Sequence, residues 1–227
     1  TDYWYRLSVG DRKNTEKYVK DDKAWDEAEK LLRNALKKEK CTFVEEEDEA
    51  SFYGPKIDVQ MRNVNGKEDT AFTVQYDFVM PKRFNLTYKD KNGKDTLAVV
   101  VHRSSIGAYE RSIAFLIERF AGAFPLWLAP VQVALIPVGE KHIKTCEKIK
   151  ADLDAEGVRT ELYDMNETVG YKIRQAETQK VPYSVVIGDD EVKAKKVAVR
   201  EHGSRDVNKQ SLGTFIKALK KQTEDRT

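Results

Sequence analysis

Hydrophobic and polar positions change rhythm along this chain, and the change divides it. Across Lys23–Lys38, the residues Trp25, Ala28, Leu32, Ala35 and Leu36 recur at three- and four-residue intervals in a stretch rich in Ala, Leu, Glu and Lys. That spacing predicts an amphipathic helix with one buried face. Short runs of strand length follow at Thr42–Glu45, Lys56–Arg62, Ala71–Val79, Leu86–Tyr88 and Thr96–His102. Asn65-Gly66 and Asn92-Gly93 lie between successive runs, and both dipeptides accept the positive φ of tight hairpin turns. Strands joined by hairpins predict an antiparallel sheet, and Thr1–Ser8 reads as a further strand, entered midway.

Past Gly107 the period returns to that of a helix, with Tyr109, Ile113, Leu116, Ile117 and Phe120 on one face and an end near Ala121-Gly122. Phe124-Pro125-Leu126-Trp127-Leu128-Ala129-Pro130 then interrupts the pattern with two prolines. Beyond it strands alternate with helices: strand Val131–Val138, helix Lys141–Leu153, strand Arg159–Tyr163, helix Gly170–Thr178, strands Tyr183–Ile187 and Lys196–Arg200, and helix Gln210–Lys221. The polar tail from Gln222 is expected to fray. The fold class expected is α+β with an antiparallel sheet over 1–127, then an α/β domain with a mostly parallel sheet over 128–227.

A length of 227 residues suits two domains of this size. With 40% hydrophobic and 34% charged residues the chain belongs with globular proteins, away from disordered or fibrous ones. It has no run of about 18 apolar residues that would span a membrane. Cys41 and Cys146 stand far apart and form no CxxC pair, so neither a disulfide framework nor a metal knuckle is expected and a reducing cytoplasm is the default setting. Forty basic against 38 acidic side chains leave a net charge of only +2, which does not by itself predict a nucleic-acid partner. Lys172, Arg174, Lys180, Lys193, Lys195, Lys196, Arg200 and Arg205 nevertheless crowd one stretch; a local basic face and a solvated mixed-charge surface both fit it.

Two segments could carry chemistry. In Phe52-Tyr53-Gly54-Pro55-Lys56-Ile57, Gly54-Pro55 sets a stiff turn that holds Tyr53 and Lys56 at neighbouring points. A lysine there could neutralise a phosphate and a phenol could orient a small polar substrate; an aromatic plug beside a surface lysine is the plainer alternative. In His102-Arg103-Ser104-Ser105-Ile106-Gly107-Ala108-Tyr109-Glu110-Arg111 a strand passes through a glycine turn into a helix, letting backbone approach a ligand. Arg111 could lay its flat guanidinium on a base or reach a phosphate, or serve only as a salt-bridge partner.

Gly107-Ala108-Tyr109-Glu110-Arg111 resembles motif 3 of class II aminoacyl-tRNA synthetases, and the order FYGPKI, TVQYDF, RFNLTY, HR and then this motif is similar to the threonyl-tRNA synthetases in particular. Similarity continues through FPLWLAPVQV (Phe124–Val133), VGYKIR (Val169–Arg174), Val181-Pro182-Tyr183, GDDEV (Gly188–Val192) and VAVR (Val197–Arg200). The resemblance implies the last part of a class II catalytic domain followed by an anticodon-binding domain. It implies that Arg111, following Gly107, stacks on the adenine of ATP, that Tyr53 and Lys56 face the aminoacyl-adenylate, and that Gln75 lies near the reacting centre. It implies that His102 is one of three protein ligands of a zinc ion that takes threonine's amino and hydroxyl groups together and so rejects valine.

For the second domain the resemblance implies anticodon reading by Asn166, Arg174, Lys180, Glu191 and Arg200, as base-edge and stacking contacts to an unpaired loop. The implied small molecules are ATP, Mg2+ and Zn2+. The implied partners are threonine tRNA and threonine, with a homodimer for the full-length enzyme. Ala108 stands where the family usually has serine, Lys180 where arginine is common and Thr168 where lysine is frequent. The family's other two zinc ligands, motif 1 and the motif 2 arginine lie upstream of the matched segments; His142, His202 and Cys41 do not replace them. The expectation is a chain that binds the anticodon loop without aminoacylating. A stand-alone tRNA-binding or regulatory paralogue is the alternative, and a synthetase for another amino acid is disfavoured by FYGPKI.

Overall fold

In the computed structural model, which describes residues 3–226, the first sheet forms around an apolar face that a single helix covers. Strand β1 (Tyr3–Ser8) leads to helix α1 (Asp22–Lys38), then β2 (Phe43–Glu46), β3 (Lys56–Arg62) and β4 (Glu68–Asp77). The Asp21 carboxylate accepts the Ala24 amide and starts α1. Leu32 and Leu36 of α1 then bury against Leu7 and Val9, with Tyr5, Phe43, Ile57 and Tyr76 around them. Trp25 is 1% exposed and meets Tyr18 and Phe78 edge-on at 5.4 and 5.2 Å. Thr1 and Asp2 of the expected first strand lie outside the described residues.

After β4 come the short helix α2 (Met80–Arg83), the strands β5 (Thr87–Lys89) and β6 (Asp95–Leu97), then β7 (Val100–Ser104) and helix α3 (Tyr109–Phe120). The sheet order is β2-β1-β3-β4-β7, antiparallel except for the parallel β1–β2 pair. The run Thr96–His102, expected as one strand, is two. Asp95–Leu97 pairs with β5 as a separate hairpin around Asn92-Gly93, whereas Val100–Ser104 pairs with β4. The hairpin closes where the Ala98 amide donates to the Leu86 carbonyl, and the chain then changes partners. Helix α2 had no periodic signal; it is fixed by Asp77, whose Oδ1 accepts the Val79 and Met80 amides at 3.0 and 2.8 Å.

The chain divides into two compact units, one ending at Phe115 and one beginning at Leu116. In the second, β8 (Val133–Pro137) is buried along its whole length. It is followed by a 3-10 turn at Glu140–His142, α4 (Ile143–Ala155), β9 (Thr160–Leu162), α5 (Val169–Thr178), β10 (Tyr183–Ile187), α6 (Asp189–Ala194), β11 (Val197–Glu201), β12 (Asn208–Gln210) and α7 (Leu212–Asp225). The sheet order is β12-β11-β10-β8-β9. It is parallel through β9, β8 and β10, whereas β10–β11 and β11–β12 are antiparallel, so the mostly parallel sheet that was expected is a mixed one, parallel on the β9 side and antiparallel on the β12 side.

Alternation sends Val133, Leu135, Val185, Ile187, Val197 and Val199 to one face, against Cys146 and Leu153 of α4 and Phe215 and Leu219 of α7. Ala134 and Ile136 point the other way, against Ala176 of α5 with Tyr163 and Val181. The tail does not fray at Gln222 as expected: α7 runs to Asp225, and Gln222 accepts the Tyr183 hydroxyl at 3.0 Å.

Candidate functional site

The face of the first sheet turned away from α1 is mostly polar, with Trp4, Val44 and Val100 as its apolar members. Across β1, β3, β4 and β7 the register sets Ser8, Lys56, Gln75 and His102 opposite one another, and the next row holds Arg6, Asp58, Thr73 and Ser104 in part. Opposed residues project to the same side, so three separately predicted residues, Lys56, Gln75 and His102, form one line of about 10 Å at ordinary strand spacing. Tyr53 joins them from the preceding turn: its hydroxyl donates to Gln75 Oε1, and its ring centroid is 5.3 Å from that of His102.

Two glycines place these elements. Gly54 has φ +156°, and a Cβ there would lie 1.8 Å from the Tyr76 carbonyl oxygen; the Phe78 amide donates to the Tyr53 carbonyl, stapling the turn to β4. Gly107 has φ +71°, and a Cβ would lie 2.3 Å from the Ala71 carbonyl oxygen. Ala71 is the extra residue at a bulge, since Val59 pairs with Phe72 and Gln60 with Thr70. The close approach sets the start of α3 beside β4, where Arg111 donates to the Thr70 carbonyl at 2.7 Å and remains exposed.

Beneath the row lie two fully buried carboxylates that the motif reading did not single out. Asp58 takes Lys56 Nζ at 2.8 Å, the Ser8 hydroxyl at 3.0 Å and Arg6 at 3.4 Å. Asp77 takes His102 Nε2 at 2.9 Å. Each sits two positions after a predicted residue, Asp58 after Lys56 and Asp77 after Gln75, so the period of two placed it on the same face. An imidazole that gives one N–H to a buried carboxylate keeps its other nitrogen as a lone-pair donor, the arrangement of a metal-ligating histidine. His102, 47% exposed at its side chain, therefore fits a single zinc-ligand role. Among the described residues no three His, Cys, Asp or Glu side chains converge to complete such a site. Cys146 is not a candidate: burial pushes its thiol up to about 12.

In the second unit the five predicted residues are partly gathered. Glu191, on α6, takes Lys209 Nζ at 2.8 Å on one oxygen and the Gly188 amide at 3.1 Å on the other. The Lys209 partner, then the nearby amides, hold its carboxyl below the ordinary range. Lys209 pairs with Ala198, and Arg200 with Ser184, so both lie on the face that carries α5. Arg200 stands 3.5 Å from Glu177 of α5, and Arg174 lies one helical turn before Glu177 on the same side. Arg174, Glu191 and Arg200 thus border one strip of surface. Asn166 is apart from it, exposed at the mouth of a cavity of about 380 Å³ lined by Pro137, Gly139, Asp164 and buried Lys172. Lys180 lies at the other end of β10, with φ +57° and its ammonium on the Ala121 carbonyl.

Comparison with known proteins finds relatives for both parts of the chain. Residues 11–120 match the tRNA synthetase class II core domain (G, H, P, S and T), and residues 132–222 match an anticodon binding domain. The threonine–tRNA ligase of Lactobacillus helveticus is 46% identical over 220 residues, 96% of this chain. That of Listeria monocytogenes is 48% identical over 217 residues, 95% of this chain. The chain belongs to the threonyl-tRNA synthetase family. A crystal structure described as the RNA binding domain of threonyl-tRNA synthetase from Cryptosporidium parvum shares the fold, with a TM-score of 0.85 at 28% identity, covering 97% of this chain and 55% of that one. Relative to the threonyl-tRNA synthetases it matches, the chain spans about a third of their length, 34% in both ligases. Among the described residues no helix is long and apolar enough to cross a membrane.

Proposed function

We propose that this chain forms part of an ATP-dependent threonine–tRNA ligase and that its residues 128–227 bind the anticodon loop of threonine tRNA. The observation that carries the first half is the line Lys56–Gln75–His102 with Tyr53 bonded into it. Lys56 supplies a cation held in place by Asp58; Tyr53 and Gln75 supply oriented polar groups for an aminoacyl-adenylate, and Arg111, just past the Gly107 turn, supplies a flat exposed surface for adenine. ATP would arrive with Mg2+, as phosphate charge requires. His102 would hold zinc together with ligands from outside the described residues. A bound zinc would grip both the amino and hydroxyl groups of threonine, favouring it over valine. The setting proposed is the cytoplasm, and the complete enzyme is proposed to be a homodimer.

The 227 residues alone are proposed to bind tRNA without forming adenylate. On the polar face Arg6 is matched by Asp58, Glu46 and Glu49, and Lys56 pairs with the same Asp58, so Lys56 by itself is weak support for an α-phosphate in an in-line displacement. Pyrophosphate exchange by the purified chain should be absent, and tRNA binding present. The decisive control is the same tRNA with its anticodon changed: weaker binding supports anticodon reading, and equal affinity overturns it.

A further inference from the structure

The strip of surface bordered by Arg174, Glu191 and Arg200 contains a cation that the family resemblance does not assign. Lys209 sits on β12, opposite Ala198 in the ladder and on the same face as Arg200. Its Nζ lies 2.8 Å from Glu191 Oε1, while Glu191 Oε2 accepts the Gly188 amide at 3.1 Å. The two oxygens of one carboxylate are therefore held by two separate elements, which fixes the plane of the group. Glu191 is only 9% exposed, whereas the Lys209 side chain is 54% exposed. An ion pair with one half-exposed partner adds little to stability, so the contact's larger consequence is orientation. An ionised carboxylate offers about four acceptor positions. Lys209 and the Gly188 and Glu191 amides use part of this capacity, and the rest remains for an N–H group of a base edge.

We infer that Lys209 is a positioning residue for base recognition, orienting the Glu191 carboxylate toward a donor-bearing edge of an unpaired base; this rests on the anticodon reading proposed above. Lys209 acts through Glu191 and not as a separate phosphate contact, because its charge is already engaged at close range, with Asp190 adding further negative charge nearby. Preorganisation of this kind lowers the cost of ordering the acceptor when the base arrives.

The test is binding of the 227-residue chain to threonine tRNA and to the anticodon-changed tRNA, for wild type, K209M, K209R, E191Q and K209M/E191Q, across a salt series, with far-UV circular dichroism confirming each fold. K209M is expected to lower the affinity ratio between the two tRNAs by about tenfold, the value of one good base contact. K209R, which keeps a cation on the carboxylate, should recover most of it, and the double variant should lose no more than E191Q. The inference is overturned if K209M leaves the ratio unchanged, if K209R recovers none of it, or if the double variant loses more than E191Q. It is also overturned if K209M weakens both tRNAs equally while flattening the salt dependence by about 0.7–0.9 in slope, the mark of one lost phosphate contact. A wild-type chain that binds both tRNAs alike overturns the anticodon reading itself, and this inference with it.

Discussion

Buried acids, more than exposed bases, organise the first unit's polar face at the scale of single residues. Asp77 satisfies three donors at once: the Val79 and Met80 amides and His102 Nε2. Removing it leaves two amides and an imidazole without their acceptor, and each orphaned buried donor costs about 1–3 kcal/mol. Asp77→Ala is expected to destabilise the first unit by about 3 kcal/mol, read as a lower midpoint of urea unfolding followed by tryptophan fluorescence in a W127F background, where Trp25, packed edge-on against Phe78 beside that turn, reports on the first unit. An unchanged midpoint would mean that water replaces the carboxylate at no cost. Asp58 does the same work for Lys56, Ser8 and Arg6, so the charge available to a ligand on this face depends on residues that a ligand does not touch.

At the scale of elements, the short pieces are tied down by side chains and not by periodicity. Helix α6 is joined to β12 through Glu191 and Lys209, and the pair predicts a pH dependence of definite sign. The folded-state carboxyl of Glu191 titrates below its ordinary value of 4.5. Its contribution to stability is therefore present above about pH 4.5 and is lost as pH falls through the lower folded value, where the unfolded chain binds the proton first. Thermal unfolding of wild type and K209M should differ only slightly at neutral pH and converge in the acid range. A difference that persisted once the Glu191 carboxyl is protonated in the folded state as well would assign the effect to something other than this ion pair.

At the scale of the whole molecule, charge is nearly balanced, with a net charge of +2. Binding to tRNA should consequently show only a modest salt dependence, with a log–log slope of about −2 to −4 for a few neutralised phosphates. A slope near −8 would point to a broad electrostatic surface in place of the local strip around Arg174 and Arg200. The two units differ in construction: the first buries one sheet face under α1 and keeps a mostly polar opposite face, and the second has helices on both sides of its sheet. The division observed between Phe115 and Leu116 lies inside α3. The functional junction at 127/128 is proposed from the proline-rich run that follows.

Periodicity and turn chemistry alone determined much of this chain. Lys56–Arg62 and Tyr183–Ile187 have the predicted ends, and Gly66 and Gly93 take the positive φ that their dipeptides announce, because these are local properties of two to eight residues. The motifs likewise named Tyr53, Lys56, Gln75, His102 and Arg111 from sequence order. Tertiary structure decided what stands beside what. The splitting of Thr96–His102 depended on two strands competing for pairing, the antiparallel β11–β12 edge on where the chain returned, and the docking of Gln222 on a tyrosine 39 positions away. The register that lines up Lys56, Gln75 and His102, and sets Asp58 and Asp77 beneath them, joins residues as many as 52 positions apart. Pairings at such separations are fixed by burial of the opposite, apolar face under α1, and no short window of sequence contains that information.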